Sequence, residues 1–323
     1  MTRLPILLIL ILGLSACGKP PAAAKHDGPL NVVVTTSMVG DLVRHVAGDR
    51  AQVTALMGEG VDPHLYRPTS TDVGHMMKAD ILFYSGLGLE GAMQTAFESA
   101  SKRGNTVIAV TDQLPKDVLH FPSQFSGHPD PHVWNDPGLW RKCLARVSEV
   151  LSEKDPEHAA EYRERAAAFD KELEALDQYA REAIATIPAE NRYLVTAHDA
   201  FGYFSHAYGL TEKSVQGITT ESEPGVQDIN NLVDFLVQHK IPALFIEATV
   251  NAGSLRAVME RTKERGWTVA QGGLLYSDSM GTPGAYEGTY IGMIDHNVTT
   301  IVKALRGKAP EGGMQGQLQP AEK

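Results

Sequence analysis

Cysteine is nearly missing from this chain. Two occur in 323 residues, Cys17 and Cys143. The first falls in an N-terminal leader, so the folded body has no internal disulfide to staple it. Cys143 sits in an apolar helical pattern and reads as a small buried hydrophobe. Basic residues are also in deficit, with 29 Lys and Arg against 39 Asp and Glu and a formal charge of −10. That balance argues against a nucleic-acid partner and against a basic membrane-binding face, and mildly favours cations. A His-Glu-x-x-His helix, one signature of a zinc hydrolase, is absent as well.

What is present begins with an address. Arg3, the apolar run Ile6 to Leu12 and the small residues after it describe a secretory signal over residues 1–16. The run is too short to stay in a bilayer as a spanning helix. Leu14-Ser15-Ala16-Cys17 resembles the bacterial lipobox, in which the cysteine is lipidated and becomes the first residue of the mature chain. A lipidated Cys17 would hold a folded domain against a membrane without crossing it, on the extracytoplasmic side, in the periplasm or at the cell surface. Residues 17–29 continue as a Pro/Ala tether. The Gly/Gln/Pro-rich stretch 307–323 reads as a disordered tail.

Between them, strand and helix signals alternate. Strands are expected at Leu30 to Thr35, Val53 to Leu56, Ile81 to Tyr84, Thr106 to Val110, Tyr193 to Thr196, Pro242 to Ile246 and Thr268 to Ala270. Helices are expected at Ser37 to Ala47, with Ser37 as N-cap, and at Ser70 to Met77. Such alternation implies an α/β fold with mainly parallel sheets flanked by helices. Pro156 to Ile187 forms one long helical stretch, with Tyr162, Phe169, Leu173, Leu176 and Tyr179 as its apolar stripe. At roughly 45 Å it suits a strut better than a crossover. The expected organisation is an N-terminal lobe over 30–155, a linking helix over 156–188 and a C-terminal lobe over 189–306.

One phrase occurs twice. Asp62-Pro63-His64-Leu65-Tyr66 and Asp130-Pro131-His132-Val133-Trp134 share the pattern Asp-Pro-His-apolar-aromatic. Proline fixes its own φ and restricts the residue before it, so each phrase is a stiff loop presenting one imidazole. The second half adds two candidates after strands, where open α/β sheets bind ligands. They are His198 in Ala197-His198-Asp199-Ala200-Phe201, and Asp278 in a glycine-flanked loop from Gly272 to Gly281. Three imidazoles and one carboxylate suit a borderline divalent metal. Glu247 ends a strand pointing at the same cleft, as an acceptor orienting a ligand histidine or as a buried ion-pair partner.

These words, with Gly60 to Thr69, Thr196 to Phe204, Phe245-Ile246-Glu247, Ser277 to Gly281 and Glu287 to Tyr290, resemble the TroA-like metal receptors of bacterial ABC importers (solute-binding protein family 9). The resemblance covers nearly all of residues 30–306. It implies two α/β lobes joined by one rigid helix, and a metal held between them by His64, His132, His198 and Asp278. It also implies an importer's permease and ATPase as partners, with capture and delivery as the function rather than catalysis. A monomer is expected. Members resembling dedicated manganese receptors carry Glu where this chain has His198, and many zinc receptors carry a long His/Asp/Glu-rich loop before the second Asp-Pro-His. This chain has only His120 and His128 there. Three imidazoles favour Zn2+, and Mn2+ is the second candidate; in vitro the Irving–Williams order puts zinc first. Closure around the ion is expected to be small, with release through loop motion in one lobe.

Two other readings stand beside this one. A surface adhesin or interaction lipoprotein would use the same anchor and tether, and a metal-dependent hydrolase would need an open coordination position and a base. The histidines His45, His75, His158 and His239 lie in helical segments and read as structural. So do His206, two helical turns after His198, and His296; His26 sits in the tether.

Overall fold

The computed structural model describes residues 28–125 and 127–319. The signal segment, Cys17, most of the tether and residues 320–323 lie outside that range. The N-terminal lobe is a parallel sheet of β1 (Leu30–Val34), β2 (Ala51–Ala55), β3 (Ile81–Tyr84) and β4 (Thr106–Ala109), in the order β2-β1-β3-β4. Val32, Val33 and Val34 are all buried, the pattern of a strand covered on both faces. The register pairs Val34 with Ala55 and with Phe83, so the strand ends are level and the loops leaving them share one edge. The helices α1 (Ser37–Ala47), α2 (Ser70–Lys78) and α3 (Gln94–Lys102) form the crossovers.

The cap of α1 is Thr36, not Ser37: the Thr36 hydroxyl accepts the Val39 N–H. Ser37 is thereby free to accept the backbone N–H of Met280 at 3.1 Å, in the other lobe. After β4 the chain runs through a long loop and three short 3-10 turns into α4 (Pro137–Lys154). Asp136 caps that helix, and Pro137 fills its first position.

The linking helix α5 (Ala159–Ala185) is shorter than the stretch expected from sequence, because residues 156–158 form a separate 3-10 turn after Pro156. Its 27 residues make a rod of about 40 Å. Tyr162, Phe169, Leu173 and Leu176 are buried along one face, and the Tyr179 hydroxyl meets Thr299 Oγ1 at 2.9 Å. That face packs on α1 and α4 at one end. At the other it packs on α6 (Gly202–Tyr208) and α9 (Tyr290–Ala304). One apolar cluster therefore runs from Val32 through Trp140 and Phe169 to Phe204 and Ile294. A core shared by both lobes resists bending at the linker, because a hinge there would expose close-packed apolar surface.

The C-terminal lobe contains β5 (Tyr193–Thr196), β6 (Thr211–Ser214), α7 (Val226–His239), β7 (Ala243–Glu247), α8 (Gly253–Glu264) and β8 (Ala270–Leu275). Parallel pairs β5–β6 and β7–β8 lie together through β5 against β7. β6, sequence Thr-Glu-Lys-Ser, has no hydrophobic signature, so periodicity alone does not reveal it. Gly272 and Gly273 fall inside β8 rather than in the loop after it. The register slips there, pairing Leu244 with Gln271 but Phe245 with Gly273. A Cβ on Gly272 would stand 2.6 Å from Phe245 Cε1, so the bulge needs glycine.

The segment after Arg306 is not a disordered tail through residue 319. Met314 N donates to both carboxylate oxygens of buried Asp295 at 2.8 Å, and Leu318 is only 8% exposed. Lys308 N donates to Thr186 Oγ1 at 2.7 Å. The Asp295 carboxylate, unexposed in the core of α9, requires donors, and the folded-back chain supplies them.

Candidate metal centre

Each lobe sends two loops from the carboxyl ends of its strands into the cleft. β2 leads to the loop carrying His64, and β4 leads through the long loop to His132. His198 lies two residues beyond β5, and Asp278 three beyond β8. The four side chains meet: one ligand atom from each lies within 4.8 Å of the others. Exposure is 6% for His64, 0% for His132 and His198, and 2% for Asp278. His206 is exposed on α6, and His45, His158, His239 and His296 are engaged elsewhere.

The separations have the size of a coordination shell. His64 Nε2 lies 3.1 Å from His132 Nε2 and 3.7 Å from Asp278 Oδ2. His132 Nε2 lies 3.5 Å from Asp278 Oδ1, and His198 Nε2 lies 3.1 Å from Asp278 Oδ2. A tetrahedron with ligand arms of about 2.0–2.1 Å has edges of about 3.3–3.4 Å, which these distances bracket. Both Asp278 oxygens and His198 Nε2 are buried without a hydrogen-bond partner among the described residues. Buried polar atoms left unpaired are costly, and a cation between them would satisfy all three.

The Asp-Pro-His loops share a local device. Asp62 Oδ1 accepts the backbone N–H of His64 at 2.8 Å, and Asp130 Oδ1 accepts that of His132 at 2.9 Å. Each aspartate closes a turn over the intervening proline. Asp130 Oδ1 also lies 2.8 Å from His132 Nδ1. A proton held there leaves the Nε2 lone pair for the cleft. Sequence reasoning took both aspartates as turn residues and missed this second role of Asp130; the only signal was its place two residues ahead of the histidine.

Glu247 does the corresponding work for His198. Its Oε1 accepts the backbone N–H groups of Ala197 and His198 at 2.7 and 2.9 Å. Its Oε2 lies 2.5 Å from His198 Nδ1, in an off-line approach. Of the two readings of Glu247, the geometry supports the one in which it orients the ligand histidine. Trp134 Nε1 donates to Ser277 O at 2.6 Å, and the Tyr290 hydroxyl donates to Trp134 O at 2.7 Å. The first bond ties the second Asp-Pro-His loop to the Asp278 loop across the cleft, and the second ties it to the start of α9.

The electrostatics are those of a site prepared for positive charge. Burial lowers His64, against the pull of Asp278 and with the help of the other two imidazoles, to a pKa of about 3, so it is neutral at physiological pH. Burial works against ionisation of Asp278, but His198 and His132 outweigh it and hold the carboxyl well below the usual range. Burial also disfavours a charged His198, and there the carboxylates of Glu247 and Asp278 prevail, raising it well above an ordinary histidine. By contrast, burial pushes the free Cys143 thiol up, in keeping with an inert core residue.

The model of the zinc-uptake complex component A, periplasmic, family (ZnuA) matches residues 32–304 of this chain. The chain belongs to this family. Among its relatives, the manganese-binding lipoprotein MntA of Bacillus subtilis is 42% identical over 299 residues, which is 93% of this chain and 97% of MntA. The manganese ABC transporter substrate-binding lipoprotein PsaA of Streptococcus pneumoniae is 30% identical over 307 residues, 94% of this chain and 97% of PsaA. The solved structure of the periplasmic zinc-binding protein TroA from Treponema pallidum superposes with a TM-score of 0.83 at 41% identity. It covers 86% of this chain and 99% of TroA. The family match extends over both lobes and the linking helix, so His64, His132, His198 and Asp278 all lie within it. No helix among the described residues is long and apolar enough to cross a membrane.

Proposed function

We propose that this chain is an extracytoplasmic receptor that captures one divalent metal ion, zinc or manganese, between its lobes and delivers it to an ABC importer. The observation that carries the reading is the convergence of three imidazoles on a buried carboxylate whose two oxygens have no hydrogen-bond partner among the described residues. Relatives named as zinc- and manganese-binding proteins and as an ABC transporter substrate-binding lipoprotein support it. His64, His132, His198 and Asp278 are the proposed ligands. Cys17 is the proposed lipid anchor, and a permease with its ATPase the proposed partners. Nitrogen-rich coordination favours zinc, whereas a second Asp278 oxygen offers a fifth donor to ions that prefer oxygen. Burial of all four side chains leaves little room for a substrate beside the ion, which weighs for transport over hydrolysis. The core that runs through α5 favours release by movement of the ligand loops over bending of the linker.

The test is competition against a calibrated chelator, using the full chain in detergent, stripped of metal and titrated with zinc and with manganese. One ion per chain is expected, zinc the tighter. Affinity for both ions no better than micromolar would overturn the reading.

The same titration has a definite pH dependence. The carboxylates of Glu247 and Asp278 raise His198 in the metal-free site and so favour its protonated form; that proton must leave before the ring coordinates. His64 is already neutral. Lower pH therefore favours the metal-free protein, and affinity falls by about tenfold per pH unit on the acidic side of the raised His198 value. For the metal-free fold, the His198 contribution is present below the ordinary histidine value and is lost as pH rises through the raised one. Calorimetry in two buffers of different ionisation enthalpy should find one proton released per zinc at pH 7; none released would contradict the assigned protonation state.

A further inference from the structure

The two Asp-Pro-His loops are not held alike. Asp130 spends its Oδ1 on the backbone and ring of His132, within its own loop. Asp62 Oδ1 accepts the His64 N–H, but its Oδ2 turns to the opposite lobe and accepts the Thr220 hydroxyl at 2.5 Å. Thr220 is 9% exposed and lies in the segment between β6 and α7. That segment is braced from within, since Gln216 Nε2 donates to Thr220 O at 3.0 Å and to Ser222 O at 2.9 Å. It is also fastened to the His198 loop. Gln216 N donates to Ala197 O at 3.0 Å, and Asp199 N donates to Gly217 O at 3.3 Å.

A chain of hydrogen bonds thus runs from the residues flanking His198, through Gln216 and Thr220, to Asp62 and the His64 N–H. The His64 loop is the outer wall of the site. His64 is the most exposed of the four clustered side chains, at 6%, and its neighbour Leu65 is 53% exposed. Among the described residues, the other hydrogen bonds from this loop to the opposite lobe lie on the Asp278 side: Gly60 N donates to Ser279 Oγ at 3.1 Å, and Thr282 Oγ1 donates to Glu59 Oε1 at 3.0 Å. Among the described residues, the Thr220 hydroxyl is the hydrogen-bond donor that fastens the loop on the His198 side.

We infer that Thr220 is a positioning residue whose hydroxyl latches the His64 loop to the His198 loop across the cleft, and so sets the rate at which the captured ion leaves. The inference rests on the metal-receptor reading above. Thr220 touches no ligand atom. It acts by making His64 and His198 move together, so that one imidazole cannot swing away without breaking a hydrogen bond to a carboxylate, a stronger bond than one between neutral groups.

The experiment is stopped-flow transfer of zinc from the loaded full chain in detergent to excess chelator, comparing the wild type with Thr220→Val and Thr220→Ser. Valine keeps the shape and removes the hydroxyl; serine keeps the hydroxyl. Thr220→Val should release zinc about tenfold faster, the scale of one lost hydrogen bond to a charged acceptor, with little change in association rate, and Thr220→Ser should return within about twofold of wild type. An unchanged rate in Thr220→Val, or a serine variant as fast as the valine one, would overturn the latch. Near-UV circular dichroism of the metal-free proteins checks folding. Should Thr220→Val not fold, Gln216→Ala, which unbraces the segment, must accelerate release in the same way or the latch fails. If wild type itself does not bind zinc, the receptor reading fails first; if it binds and these variants release at its rate, the latch alone is wrong.

Discussion

Asp278→Ala lowers zinc affinity by about a thousandfold or more, the cost expected when the charged partner is removed from a buried ionic cluster. Asp278 is the one carboxylate in the four-residue cluster, and its environment keeps it ionised far into acid. It is also the hub. Its oxygens lie 3.1–3.7 Å from the Nε2 atoms of His64, His132 and His198 alike, so its loss removes a donor and the negative charge that balances the ion. The three imidazoles then face one another with no anion between them. A second consequence separates this account from simple misfolding. Asp278, with Glu247, raises His198, so the variant should release fewer protons than the wild type for each zinc that still binds. Competition titration reads the affinity, and two-buffer calorimetry reads the proton. Zinc binding within threefold of wild type would remove Asp278 from the coordination shell.

Glu247→Gln is the more discriminating substitution, because it changes almost no volume. Glutamine must satisfy the Ala197 and His198 N–H groups with its one oxygen, as Oε1 does now. The amide nitrogen then stands where Oε2 faces His198 Nδ1 at 2.5 Å. An amide N–H there requires Nδ1 to accept, which moves the ring proton to Nε2 and points it at the metal. Turning the amide over sets its N–H groups against two backbone donors instead. Either arrangement opposes coordination, and a loss of about 10- to 100-fold in zinc affinity follows, as for other carboxylates that orient ligand histidines. Imidazole nitrogen shifts in a ¹⁵N-labelled protein would show the exchanged tautomer. Wild-type affinity in Glu247→Gln would mean that Glu247 only supports the β7 end and has no hold on the ring.

The two substitutions test different parts of the same arrangement. Asp278 acts on the ion directly, whereas Glu247 acts on the imidazole that meets it. Both contrast with Thr220, whose effect is expected in release rate. A receptor must hold its ion tightly and still give it up. This fold divides those tasks between a buried cluster fixed by carboxylates and an outer loop fastened by a few hydrogen bonds.

Much was legible in the amino-acid sequence. Largely apolar runs marked β1, β3 and β5 with boundaries within a residue or so, because strands covered on both faces are written as continuous apolar runs. The repeated Asp-Pro-His phrase announced two stiff loops, since proline restricts its own backbone and that of its neighbour whatever surrounds them. Helical periodicity gave α5 and the face it buries. These features are local, and their physics acts within a few residues. β6 escaped because its residues are polar. The segment after Arg306 escaped because composition shows nothing of the buried Asp295 that anchors it. The sequence named His64, His132, His198 and Asp278 as one ligand set, and the structure brings the same four together; their distances needed both lobes in place, as did the choice between two roles for Glu247. Thr220 lies 158 residues from Asp62 in sequence, and no periodicity or motif connects them. Local rules determined which groups this chain could offer a metal. Only the packing of two lobes on one helix decided which of those groups face each other, because a hydrogen bond between distant segments depends on where the whole chain has placed their backbones.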